Sequence, residues 1–282
     1  MPSSDPGPAR LLLAIADMPS RADALSRVAS ATGFSLPDVR LRLTGTLPRV
    51  LLSDTNVEHV RALAAELEQH GFVTLVCDPA QAPADANRIV ARQLELSPGG
   101  LVAIARGAAG PRSGAERSAQ DGIERSLVRH PVAGDAIALL QRGFRFSTTR
   151  ETITTSERKM SLGRVMLSGG LLMSKAVKKT SVQVSESREA MLLVQRHDGQ
   201  PEIVLYEQQL DYHFLGARMQ PAAHANLMLT LEHIRAMAPR APLDARVAQA
   251  AFVQRLEPVA VGDPLDLALH LVWLAHRRQA GG

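Results

Sequence analysis

The sequence predicts an α+β protein: a small β-α-α-β-α-β domain over residues 1–78, a linker at 79–91, an antiparallel β-rich domain over 92–238 closed by a helix, and a helical segment over 239–282. Three observations carry this reading. Short apolar runs alternate with capped amphipathic stretches through the first quarter of the chain. From Asp135 to Tyr212 the texture becomes that of Thr-rich strands with period-two alternation. Helical spacing then returns and persists towards the C-terminus.

"LLLAIA", residues 11–16, is a short apolar strand. Ser20 is placed to cap a helix whose Ala24, Leu25, Val28 and Ala31 fall at helical spacing and which Gly33 stops. Ser35 caps a second helix carrying Leu36, Val39 and Leu43, ended by Gly45. "RVLLS" supplies the second strand. Thr55 and Glu58 have capping-box spacing ahead of a helix with Val57, Val60, Ala64 and Leu67 along one stripe and Gly71 at its stop. "FVTLVC" is the third strand, and all three helices are expected to bury their stripes on one face of the sheet.

These residues resemble a known family. "ATGFSLPDVRLRLTGTLPRV" followed by "EHVRALAAELEQHGFVTLV" is similar to the C-terminal domain of the bacterial ribosomal stalk protein, a fold shared with the adaptor of the Clp protease. Gly33, Leu36, Val39, Gly45 and Pro48 fall where that pattern has its glycine, helix-packing residues, second glycine and proline; Leu67 and Gly71 match its helix-ending leucine and glycine. The resemblance covers about a quarter of the chain and implies a fold and, at the level of class, protein recognition. Where the family's translation-factor surface has basic residues, this chain has Ser26 and Ala29, with Arg27 between them. Of the Clp adaptor's acidic pocket, Asp17 is the one counterpart.

Residues 78–88, "DPAQAPADANR", read as a linker or loosely helical connector. "RQLELSPGGLVAIAR" follows as two strands turned at Pro98-Gly99-Gly100, and the small and polar residues 107–122 as a mobile surface loop. In the long run from Asp135, Phe144, Phe146, Thr148, Arg150 and Thr152 share one face. Asp198-Gly199 marks a hairpin turn. The β-rich module followed by "PAAHANLMLTLEHIRAMAP" has the broad order of pleckstrin-homology-like barrels, in which antiparallel strands are closed by one C-terminal helix.

The stretch "SLGRVMLSGGLLMSKAVKKT", residues 161–180, is the most distinctive. It fails as a phosphate cradle, because five residues separate Gly163 from Gly169 and no Lys-Ser or Lys-Thr follows. It reads as a hairpin with Gly169-Gly170 at the tip and Val165–Leu167 and Leu171–Met173 as arms. The same geometry offers Leu171, Leu172 and Met173 as an apolar contact tip beside Lys175, Lys178 and Lys179. From 141 to 180 nine basic residues face the two acids Glu151 and Glu157, +7 in a chain whose net charge is +4. Arg158, Lys159, Arg164, Lys175, Lys178 and Lys179 are therefore a candidate surface for anionic lipid, nucleic acid or an acidic partner.

Beyond it, Pro221 opens a helix with Leu227, Met228, Leu231 and Ile234 on its buried face. Asp244 is expected to cap another, with Val247, Ala251 and Leu256, and Asp263-Pro264 opens the last. That final helix, "PLDLALHLVWLAHRR", is apolar on most sides and should be buried or pair with a second copy.

Composition narrows the function classes. At 282 residues, 45% hydrophobic and 21% charged, the chain suits about two globular domains. Aromatics are 3%, too few for base-stacking platforms. Cys77 is the single cysteine, which removes intramolecular disulfides and zinc-finger or iron-sulfur sites built from thiolates. The segment before "LLLAIA" carries no basic run of the kind a signal peptide has, so the expected compartment is the cytoplasm. Neither His-Glu-x-x-His nor Gly-x-Ser-x-Gly occurs, and His224 and His233 are too far apart to share an ion from one helical face. Asp211, Tyr212 and His213 lie together at a strand end but on alternating faces. No cofactor, metal or catalytic residue is assigned. The expectation is a non-catalytic cytosolic protein-binding adaptor or regulatory subunit; the alternative is a binder of anionic surfaces through residues 142–179, and the third an enzyme with an unrecognised site.

Overall fold

A strand with one wet face alternates polar with apolar residues, and "LLLAIA" does not alternate. The reason is visible in the structure, a computed structural model that describes residues 10–106, 127–160 and 174–281, with the backbone alone for 147–160 and 174–187. Strand β1 (Leu11–Asp17) is the centre of a three-stranded antiparallel sheet, flanked by β2 (Arg49–Asp54) and β3 (Val73–Cys77), and both of its faces are buried. Leu13 and Ile15 face α1 (Ala24–Thr32), α2 (Leu36–Leu43) and α3 (Val57–Gln69), in one core with Val28, Val39, Leu51, Val60 and Leu67.

The helix boundaries follow local chemistry. Ser35 caps α2 by accepting the Asp38 N–H at 3.3 Å. Gly33 and Gly71 stop α1 and α3 at φ 71° and 84°, where a side chain would be strained. Two expected caps are corrected. The chain turns once more after Ser20 and α1 begins behind Asp23, which makes no side-chain cap bond. Asn56, not Thr55, caps α3, accepting the His59 N–H at 3.0 Å, in keeping with the higher rank of Asn at that position.

The second sheet has seven strands: β4 (Ile89–Ser97), β5 (Gly100–Arg106), β6 (Leu127–Ala133), β7 (Ile137–Met160), β8 (Ser174–Arg196), β9 (Ile203–Tyr206) and β10 (Leu243–Asp244), in the order β10-β7-β8-β9-β4-β5-β6. The turn at Pro98–Gly100 joins β4 and β5 antiparallel, as expected. A Cβ at Gly100 would lie 2.3 Å from the Val132 carbonyl oxygen of β6, so the close approach of those strands needs glycine. Gly199, at φ 73°, turns β8 back onto β9. The antiparallel pattern acquires two parallel pairings, β10 with β7 and β4 with β9.

In the β8–β9 ladder, Met191 and Leu193 pair with Tyr206 and Val204 on one face, and Leu192 and Val194 with Leu205 and Ile203 on the other. The second face packs on α4 (Ala223–Met237) through Leu227, Leu231 and Ile234. Pro221 sits just ahead of that helix, which starts after Ala222. The first face joins Leu139 in a core with Phe252 of α5 (Ala250–Gln254) and with the final helix α6 (Pro264–Ala280). Asp263 caps α6 as expected, accepting the Leu265 N–H at 2.8 Å.

The same core holds Leu12, Ala14, Ala16, Leu75 and Cys77, the outer face of the opening sheet. Helix α6 thus lies between the two sheets, with Leu265, Leu267, Ala268, Leu269, Leu271, Val272 and Ala275 buried around it. Of the two outcomes open to so apolar a helix, burial within its own chain is the one found.

Asp244 does not cap a helix as expected. It sits in β10, 7% exposed, and its carboxylate accepts the Arg246 N–H, the Arg246 Nε at 2.8 Å and the His276 ring at 2.8 Å. With the side chain committed to these partners, the chain makes a short 3-10 turn at Arg246–Ala248 and defers the helix to Ala250.

The residues up to Phe144 together with those from Ala190 form one compact unit, and Arg145–Glu189 a second, built on the rest of β7 and β8. Among the described residues no helix is long and apolar enough to cross a membrane.

Candidate binding groove

Within the first unit an open groove of about 700 Å³ is lined by Arg88, Gln195, Arg196, Glu202, Trp273 and Arg277 among others. Three elements build it: the segment Pro83–Arg88, the β8–β9 turn and the last turns of α6.

Its floor is an ion network. Arg88 has a side chain only 2% exposed. Its Nε donates to Glu202 at 2.8 Å, its Nη1 to Asp266 of α6, and its Nη2 to the Pro83 carbonyl at 2.8 Å. The Asp85 N–H also donates to Asp266, at 3.2 Å, and the Tyr206 hydroxyl donates to Asp85 at 2.6 Å. Burial works to lower the Arg88 pKa, but the Glu202 and Asp266 carboxylates outweigh it and the net shift is upward. Burial pushes the Asp266 carboxyl up, and Arg88 offsets part of that. The segment read as a linker is therefore pinned. Asp78 caps a 3-10 turn at Pro79–Gln81, a second turn spans Asp85–Asn87, and Arg88 locks the chain entering β4 to the start of β9 and to α6.

Beside this floor, Gln195 donates to Gln141 at 3.4 Å, and Gln141 donates to the Leu269 carbonyl at 2.9 Å, tying β8 and β7 to α6 through two buried amides. Arg196 pairs with Asp198 in the turn. The Arg277 guanidinium lies 5.8 Å from the Trp273 ring centre, one helical turn away. The groove so offers an aromatic face, charges of both signs and the backbone of the β8–β9 turn on a fixed base.

The residues singled out from sequence fall elsewhere. Arg158 and Lys159 lie on β7, and Lys175, Lys178 and Lys179 on β8, its neighbour in the sheet. Arg164, the tip Leu171, Leu172 and Met173, the hairpin arms around Gly169-Gly170 and the loop at 107–122 lie outside the described residues. Asp211 and His213 do meet, carboxylate to ring, on an exposed turn, but the Tyr212 hydroxyl donates instead to the Glu207 carbonyl at 3.0 Å, so the three side chains do not converge. His224 contacts Glu207 at 3.2 Å and His233 contacts Arg218 at 2.9 Å. Among the described residues no three His, Cys, Asp or Glu side chains are grouped to hold a metal ion. Burial, with Asp78 adding to it, pushes the Cys77 thiol up to about 12.

Sequence reading missed the groove because its partners are far apart along the chain: Arg88 and Asp266 are separated by 178 residues. The one local signal was the Asp85–Arg88 spacing inside a segment rich in Pro and Ala. No protein-family model, curated protein or solved structure matches this chain.

Proposed function

We propose that the chain is a non-catalytic adaptor or regulatory subunit acting in the cytoplasm, and that it takes an extended segment of a partner protein into the groove beside Trp273. The observation that carries this is the groove's make-up: an open channel on a floor tied together by the Arg88 ion network, with an aromatic-guanidinium pair and turn backbone along its walls. Peptide recognition uses such surfaces, main-chain and amide groups giving affinity and an aromatic anchor giving specificity. The opening domain, a β-α-α-β-α-β unit whose sequence resembles the stalk-protein family, supports the reading at the level of class. The test is a photo-crosslinking residue at Gln200 in the full chain. A discrete protein adduct that disappears with Trp273→Ala and survives Arg61→Ala is expected. An adduct indifferent to Trp273→Ala, or turnover of a small molecule at the groove, would contradict the reading.

A second reading rests on one placement. Arg158 and Lys159 on β7 and Lys175, Lys178 and Lys179 on β8 bring five cations onto two neighbouring strands of the second unit. There they would bind an anionic lipid surface or nucleic acid. Replacing the three lysines by Gln should weaken retention on anionic liposomes or DNA and flatten its salt dependence; unchanged retention would remove it.

A further inference from the structure

A buried arginine keeps its charge, so the fold must supply it with acceptors. Arg88 and Arg246 show the ordinary solution, each bound to carboxylates. Arg49, the first residue of β2, does not follow it. It is 7% exposed, its Nε is buried without a hydrogen-bond partner, and no carboxylate among the described residues lies within ion-pair distance. The influences on its charge are burial, first, and the like charge of Arg255, and both push its pKa down. The Phe252 ring centre is 5.6 Å from the guanidinium carbon, a cation–π attraction that falls short of a buried cation's need for acceptors.

The surroundings leave room for the guanidinium without supplying a counter-charge. Gly45 gives the guanidinium its space: a Cβ there would lie 2.5 Å from Arg49 Nη2. Arg49 lines a concavity of about 360 Å³ together with Arg42, Arg255, Leu41, Phe252 and Leu256. Arg42 is held by its Nη1 donating to the Leu51 carbonyl at 3.0 Å and by lying 4.6 Å from the Phe34 ring centre. Arg255 is held by donating to the Thr44 carbonyl at 2.7 Å. Three arginines thus line one hollow with apolar walls, and no acid lines it.

We propose that this hollow, between α2 and β2 on one side and α5 with the residues after it on the other, binds a small organic oxyanion. Its carboxylate or phosphate is taken by Arg49 with Arg42 and Arg255, and its apolar body lies against Phe252 and Leu256. The site is separate from the Trp273 groove and does not depend on the function proposed for it. The volume sits at the small end of ligand sites, which fits a single ring or short chain. Fork-shaped guanidinium donors match either oxyanion bidentately.

The experiment is thermal unfolding and titration calorimetry of the full chain with inorganic phosphate, phenyl phosphate and benzoate, each against sodium chloride at equal ionic strength. Phenyl phosphate or benzoate is expected to raise the midpoint beyond chloride, because a ligand bound only by the folded chain stabilises it. Whichever of the two binds more tightly identifies the head group. Arg49→Met, which keeps the buried length without the charge, should abolish the shift. Arg255→Gln, at an exposed position, should weaken binding at least tenfold, and Arg61→Gln should leave it unchanged. Midpoints equal to chloride for all three probes would overturn the proposal, as would binding that survives Arg255→Gln undiminished. Binding of inorganic phosphate alone would overturn the assignment of the apolar body.

Discussion

Replacing Arg88 with Met is the sharpest perturbation of the groove floor. The substitution keeps the aliphatic length and removes a guanidinium whose side chain is 2% exposed. It leaves Glu202 and Asp266, 14% and 11% exposed, without their counter-charge. Hydrogen bonds to charged groups contribute about 1.5–3 kcal/mol each, and removing one partner of a buried ion pair costs about 3–5 kcal/mol. Glu202 and Asp266 lose a hydrogen-bonded partner and Asp85 a counter-charge at 3.7 Å, but all three keep some contact with water, which sets the cost at about 4 kcal/mol at pH 7. The cost should depend on pH in a stated direction. Burial already raises the Asp266 pKa, and removing Arg88 takes away the main influence that lowers it, leaving the Asp85 N–H bond, so the Asp266 carboxyl takes up a proton more readily in the folded chain. The penalty is then greatest near neutrality and shrinks as pH falls towards 5. Urea unfolding of wild type and Arg88→Met at pH 7 and pH 5 reads both quantities. A loss under about 1 kcal/mol at pH 7, or one that grows on acidification, would refute the reasoning.

Two further outcomes are expected. Burial raises the Asp244 pKa, but hydrogen bonds from His276 and Arg246 outweigh it and hold the carboxyl well below the usual range. Its stabilisation is therefore complete above the ordinary Asp value of about 3.9 and is lost as pH falls below it. Asp244→Asn should cost about 2–3 kcal/mol at pH 7 in urea unfolding and flatten the acid limb; an unchanged acid limb would contradict this. Cys77 is buried with its thiol pushed up to about 12, so alkylation at pH 8 should run at least about 100-fold slower in the native chain than in urea; equal rates would show that the thiol is accessible.

What sequence alone revealed, and what it hid, divides by range. The order of strands and helices through β3 was legible because caps, stops and stripes act within a few residues, as at Ser35, Gly33 and Gly71. The turns at Pro98–Gly100 and Asp198-Gly199 were legible for the same reason. Asp244 was misread because an acid before an apolar helical spacing looks like a cap, while the partner that claims it, His276, is 32 residues away. The Arg88 network and the three-arginine hollow were invisible, since each draws on segments from both ends of the chain. One signal of that long-range order was present and unused. "LLLAIA" lacks polar alternation, which already required a second cover for β1 beyond its three helices.

That second cover is α6, and both candidate sites depend on the core it makes. Residues 1–78 expressed alone would expose Leu12, Ala14, Ala16, Leu75 and Cys77, with about 1.5–3 kcal/mol lost for each of the two leucines. Amide hydrogen exchange at Leu13, Ala14 and Ile15, compared between that fragment and the full chain, reads this directly. Strong protection in the full chain and its collapse in the fragment is the predicted result. Equal protection in the two would contradict the shared core.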